Sequence, residues 1–354
     1  MIKRVKRGAL QVGKQIGLFA ALRRSEWRRS RLTILCYHGV SLLDEHGWNP
    51  SYYMRADAFE ERLRMVSDGG YPVVRLDEGL RRLREGTLAR GSVALTFDDG
   101  MYDFYVQAAP LLEKYGMPAT VYLTTFYSDF NRPVFGVFCS YVLWKGRRSA
   151  AHVSEVIPGA ADADLHSSAG RARLRRAIDA HTQREGHSAE DKDAFAERLA
   201  RHIGVDYDDL IARRVLHVMN NDEVVDLARR GFDFQLHTHR HRTPNDRVLF
   251  LREIDDNRRR LRDLAGGEPT HFCYPSGLYR SEFLPWLHEA GVASATTCDA
   301  GLATAHTPSL LLPRVVDGGQ LSPIEFEGWL SGASAFLPRR PAWADGAVRE
   351  TPDT

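Results

Sequence analysis

The chain has 354 residues, 43% of them hydrophobic and 27% charged, and its 48 Lys/Arg nearly balance 46 Asp/Glu. That is globular composition with ample length for a sizeable core, and a net charge of +2 argues against a nucleic-acid partner. No apolar run approaches the about 18–20 residues of a spanning helix, and the four scattered cysteines (Cys36, Cys139, Cys273, Cys298) read as reduced thiols of a cytoplasmic protein.

The first 31 residues carry ten Lys/Arg against the single Glu26, which makes this segment about +9 and the remainder about −7. Leu10, Ile16, Leu18, Phe19 and Leu22 are interspersed. Two readings stay open: a basic amphipathic helix resting on the anionic inner face of a membrane, or a solvated helix packed on the main domain. Lys14 and Gln15 break the apolar core that a signal peptide would need.

Beyond it, apolar runs alternate with amphipathic stretches. LTILCYH (32–38) reads as a buried strand, DAFEERLRMVSDGG (57–70) as a helix closing on glycines, YPVVRL as a short strand and LDEGLRRLREG as a helix. SVALTF (92–97) reads as a strand ending at Asp98 and Asp99, YDFYVQAAPLLEKYG as a helix and PATVYLTT as a strand. Residues 131–215 show no strand pattern and read as a helical insertion. The alternation resumes with helix 220–231, strand FDFQLH (232–237), a long helix, strand THFCYP (270–275), helix SEFLPWLHEAG, and strands VASATT and SLLLPRVV. The Pro- and Ala-rich end reads as loose. The expected organisation is a basic segment over 1–31, an α/β barrel over 32–325 with the insertion at 131–215, and a tail over 326–354.

Strand–helix alternation predicts parallel strands, with chemistry in the loops after their C-terminal ends. The polar residues agree: His38, Asp98 and Asp99, His237, and the Pro275–Ser276 pair each end a strand. In QLHTHRHRTP, His237 and His241 are spaced i, i+4. If that segment turns, both imidazoles face one way and His239 points elsewhere; if it stays extended, all three share a face. Two imidazoles and one carboxylate suit zinc or a related divalent metal.

LTFDDG together with HTHRH resembles the NodB-homology polysaccharide deacetylases, the carbohydrate esterase 4 family, over roughly residues 32–130 and 216–325. The resemblance implies a distorted, partly open (β/α)7-type barrel and metal-dependent removal of acetyl groups from an N-acetylated sugar. It implies Asp99, His237 and His241 as metal ligands and Asp98 as general base, with Thr238 orienting the loop. Zn2+ is the metal expected, with Co2+, Ni2+ or Mn2+ as alternatives. The family's R-x-P-[YF]-G motif corresponds to FCYPSG, in which Pro275 and Gly277 fit while Cys273 replaces the Arg and Ser276 the aromatic. The Ser276 N–H is then the implied oxyanion donor, Tyr274 and Pro275 flank it, and Arg314 is a candidate replacement for the missing Arg.

The family's C-terminal histidine motif is absent, but TILCYH places His38 after an apolar strand, as in the circularly permuted members, where it would be the general acid. Lipid-linked sugars are alternative substrates, formyl an alternative to acetyl, and a non-catalytic sugar-binding barrel the rival of another class.

Overall fold

In the computed structural model, which describes residues 2–157 and 164–338, the basic start of the chain forms three helices, α1 (Ile2–Gln15), α2 (Leu18–Arg24) and α3 (Glu26–Arg29). Strand β1 (Thr33–Tyr37) is buried at every position, as a strand flanked on both edges and covered on both faces has to be. Two-residue strands β2 (Gly39–Val40) and β3 (Tyr53–Met54) pair beside it, with the short helix α4 (Glu45–Trp48) between them. Helices α5 (Ala56–Asp68) and α6 (Leu76–Arg84) lead to β4 (Val93–Phe97).

A wider helical turn over Phe104–Ala108 precedes α7 (Ala109–Lys114), with Pro110 near the N-terminus of α7, where its missing N–H is tolerated. Then come β5 (Ala119–Leu123), α8 (Phe135–Lys145), α9 (Ser168–Arg184), α10 (Ala189–His202), α11 (Tyr207–Ala212) and α12 (Asn221–Arg229). The remainder is β6 (Asp233–Leu236), α13 (Arg247–Ala265), β7 (His271–Cys273), α14 (Phe283–Glu289), β8 (Ser294–Thr296), β9 (Val315–Val316) and α15 (Pro323–Ser331).

Seven parallel strands curl in the order β8-β7-β6-β5-β4-β1-β9, forming a distorted, partly open (β/α)7 barrel. β1 lies between β4 and β9, so the first strand of the sheet in sequence sits beside the last. The seam between β8 and β9 is carried by one parallel bridge, Thr296 to Leu312. Pro313 explains this: it cannot donate to a ladder, so the expected strand SLLLPRVV breaks into that bridge and the short β9. YPVVRL is likewise reduced to a single bridge, Val73 to Val93, after Pro72.

Described residues of 131–215 form helices packed around Phe138, Val142, Leu174, Phe195 and Leu199, and α8 docks on α4 through Tyr141 and Trp48, whose ring centroids lie 5.5 Å apart. A tail is expected over 326–354. Through Pro338 it is built into the fold, because Phe326, Leu330 and Ala333 are buried; residues 339–354 lie outside the described residues. The segment 1–31 packs on this same element. Arg7 Nε is 2.9 Å from Glu325 and Lys14 Nζ 2.5 Å from Glu327. Fully buried Arg28 donates to the Leu330 carbonyl at 3.2 Å and to Thr33 Oγ1 at 2.6 Å.

Candidate active site

The turn leaving β4 sends its two adjacent carboxylates in different directions. Asp98 N donates to the Tyr37 carbonyl at 3.0 Å, which extends the β1–β4 pairing one residue past the strand. Asp99 (φ 70°) and Gly100 (φ 75°) then both take left-handed backbone. At position 100 a Cβ would come within 2.2 Å of Leu123 Cδ1, so only glycine fits. An aspartate tolerates this conformation better than most residues.

Asp99 Oδ1 lies 3.1 Å from both His237 Nε2 and His241 Nε2. The Nδ1 of His237 is 2.9 Å from the Cys273 carbonyl; as the donor there, it leaves Nε2 with its lone pair facing the site. Burial alone would raise the Asp99 pKa, but His241 and His237 hold it well below the usual carboxylate range. Two imidazole nitrogens and one ionised carboxylate oxygen, converging within 4.8 Å of one another, fit a divalent cation of the zinc type.

The loop carrying the histidines turns rather than extends: Thr238 (φ 61°) and His241 (φ 55°) are left-handed. His239 therefore points away from Asp99, with Nδ1 2.9 Å from Thr125 Oγ1. Helix α13 clamps this loop. Asn257 Oδ1 accepts from His237 N at 2.9 Å, and its amide donates to Leu123 O at 3.0 Å and Thr125 Oγ1 at 2.9 Å. Buried Glu253 accepts from Arg240 N at 2.8 Å and Arg242 Nε at 2.7 Å. Thr238 Oγ1 accepts from Arg242 N at 3.0 Å. Sequence reasoning missed Glu253 and Asn257. Their signal was present: the inward stripe of α13 runs Phe250, Glu253, Ile254, Asn257, Arg258, Leu261, and polar residues inside an apolar stripe need partners.

Asp98 is 2% exposed. Arg314, fully buried, grips it with both nitrogens, Nη1 to Oδ1 and Nη2 to Oδ2, each at 2.7 Å. Burial would push the Asp98 carboxyl up, but the Arg314 charge and hydrogen bonds override it and hold the pKa far below the usual value. Cys36 Sγ at 3.5 Å and Cys273 Sγ at 3.4 Å also face Oδ2. Cys273 thus occupies part of the space the resemblance assigns to an Arg, while the cation comes from the β9 side of the barrel.

His38 Nε2 is 3.8 Å from Asp98 Oδ2, beyond a hydrogen bond, and its ring meets the edge of Tyr52 at 4.6 Å. Burial lowers the His38 pKa, and Asp98 and Asp99 only partly restore it. Ser276 is an exposed turn residue (φ 57°) between buried Pro275 and Gly277. Gly277 (φ 67°) leaves room for Cys298 Sγ, which a Cβ there would approach to 2.9 Å. Tyr274, expected to contact substrate or to support the residues that do, is fully buried with its hydroxyl donating to the Leu310 carbonyl at 3.0 Å.

Comparisons with known proteins bear on the family and the fold. Residues 85–142 and 205–295 match the sequence model of the Polysaccharide deacetylase family, and the gap falls in the helical insertion. YxkH of Bacillus subtilis, described as a polysaccharide deacetylase, is 31% identical over 122 residues, 34% of this chain and 41% of that protein. The match thus spans about two-fifths of that relative's length. Streptococcus pyogenes deacetylase PplD, solved in complex with acetate, superposes with a TM-score of 0.57 at 20% identity, covering 85% of this chain and 98% of that one. IcaB from Ammonifex degensii gives 0.54 at 16% identity, over 85% and 97%. The solved structures share the fold, and the sequence match to the polysaccharide deacetylase family covers the strands that carry both motifs.

Proposed function

We propose that the protein is a metal-dependent N-deacetylase that hydrolyses the acetamide of an N-acetylated sugar, releasing acetate and a free amine. The observation that carries this is the separation of the two aspartates: Asp99 faces His237 and His241, while Asp98 is held ionised by Arg314. A binding-only site has no use for the second buried carboxylate. A divalent cation held by Asp99, His237 and His241, with zinc the first choice, would polarise the acetyl carbonyl and acidify water.

The chain's own residues do the rest. Asp98 takes the proton of the attacking water. His38, whose Nε2 lies 3.8 Å from Asp98 Oδ2, is the general acid that in its protonated form gives a proton to the departing nitrogen. The N–H of Ser276, on its left-handed turn, is the oxyanion donor.

The substrate is an N-acetylated glycan or a lipid-linked sugar precursor. Four free thiols support a reducing, cytoplasmic setting. The test is acetate release by Asp98→Asn and His38→Ala, with metal content measured in parallel. Loss of activity with metal retained is the expected result; full activity in both variants would refute the assigned roles.

A further inference from the structure

Helix α1 docks on its own protein through Leu10 and several cations while most of its apolar side chains stay outside. An amphipathic helix packed on a domain normally turns its apolar stripe inward. Here Leu10 packs with Phe19 and Ala333, and the other inward contacts of the helix's side chains are polar: Arg7 with Glu325, Lys14 with Glu327 and Lys6 Nζ with the Pro338 carbonyl. The apolar residues face out: Val5 is 66% exposed, Val12 56%, Ile16 74% and Leu18 42%. Positions 5, 12 and 16 are separated by seven and four residues, so Val5 and Val12 line up along one side of α1, and Ile16, just past its end with its N–H on the Val12 carbonyl, continues that line. Arg4 is exposed beside that stripe.

The docking is specific, so the outward stripe is not an accident of a loose helix. α2 and α3 continue the contact, with Phe19 and Arg28 buried.

We propose that the outward face of residues 4–18 is a docking surface for an anionic lipid bilayer, on which α1 lies in the interfacial plane. The charge decides the occupant. Arg7 and Lys14 are paired with Glu325 and Glu327 and Arg28 is buried, but the ten Lys/Arg of residues 1–31 still outnumber Glu26 and those two partners, and Arg4 is exposed beside the stripe, so a second copy of this chain would bring like charge against like. An anionic bilayer satisfies both the apolar stripe and the surrounding cations. Among the described residues no helix is long and apolar enough to cross a membrane, which leaves this surface as a peripheral contact. The inference stands on α1–α3 and α15 and does not depend on the catalytic assignment.

The test is flotation of the full chain with phosphatidylcholine vesicles, with and without phosphatidylglycerol. Binding is expected only to the anionic vesicles and to weaken as salt rises. The double variant Val12→Glu/Ile16→Glu should bind roughly tenfold or more weaker per residue, while its melting temperature and light-scattering mass stay those of the wild type. Absence of wild-type binding to anionic vesicles overturns the proposal. So does equal binding by the variant, or a wild-type oligomer that the variant dissociates.

Discussion

Replacing Arg314 by Met removes the cation that keeps Asp98 ionised in a buried site. The guanidinium is fully buried and makes the two 2.7 Å bonds to Asp98, one of 3.2 Å to Thr96 Oγ1, one of 3.0 Å to the Thr297 carbonyl and one of 3.1 Å to Cys273 Sγ. Breaking one side of such a pair strands a charge that water cannot reach, at a cost of about 3–5 kcal/mol. Asp98→Asn strands the guanidinium in the same way. The double variant Asp98→Asn/Arg314→Met leaves neither, so it should be less destabilised than the two single costs summed, with a coupling of about 2–3 kcal/mol. Urea unfolding of all four proteins measures the cycle, with the denaturant slope checked for constancy. Arg314→Lys keeps the charge but not the bidentate grip, so the acidic limb of acetate release should move to higher pH. If Arg314→Met unfolds within about 1 kcal/mol of the wild type, or the cycle shows no coupling, Arg314 is not what holds Asp98.

Three further outcomes follow from the same geometry. His241→Ala should reduce bound metal to background, whereas His239→Ala, altering a ring turned toward Thr125, should leave it near the wild-type level; equal loss in both would place the ligands elsewhere. Glu253→Ala should loosen the 237–242 loop and weaken metal affinity about 10–100-fold, with Glu253→Gln recovering part of it; titration calorimetry and thermal melts separate this from global unfolding. His217 is buried with Nδ1 3.1 Å from the Val215 carbonyl and Nε2 without a partner, and burial pushes its pKa down to about 4. The unfolded chain therefore binds the proton first. The stability tied to a neutral His217 is complete above about 6.5 and is lost as pH falls toward 4, by roughly 3 kcal/mol. His217→Gln should lack that part of the slope in urea titrations across pH, and identical slopes would remove His217 from the acid response.

What the sequence determined by itself is the chemistry that depends on chain neighbours. Alternating apolar runs required parallel strands, and TFDDG and HTHRH put Asp98, Asp99, His237 and His241 at or just past strand ends, because the first motif closes β4 and the second directly follows β6. Contacts between distant segments were decided only by the tertiary structure. Arg314 reaches Asp98 across 216 residues, and no periodicity links those positions. Spacing left open whether His239 shares the face of His237 and His241, and the left-handed turns at Thr238 and His241 rotate it toward Thr125. Glu253 and Asn257 look like ordinary helix polar residues until the helix is seen packed against the loop it holds. The basic start and the supposed tail were each ambiguous alone. Arg7, Lys14 and Arg28 become ordered by finding Glu325, Glu327 and the Leu330 carbonyl, partners some three hundred residues away in sequence, so only closure of the whole chain could decide which faces of those helices turn inward.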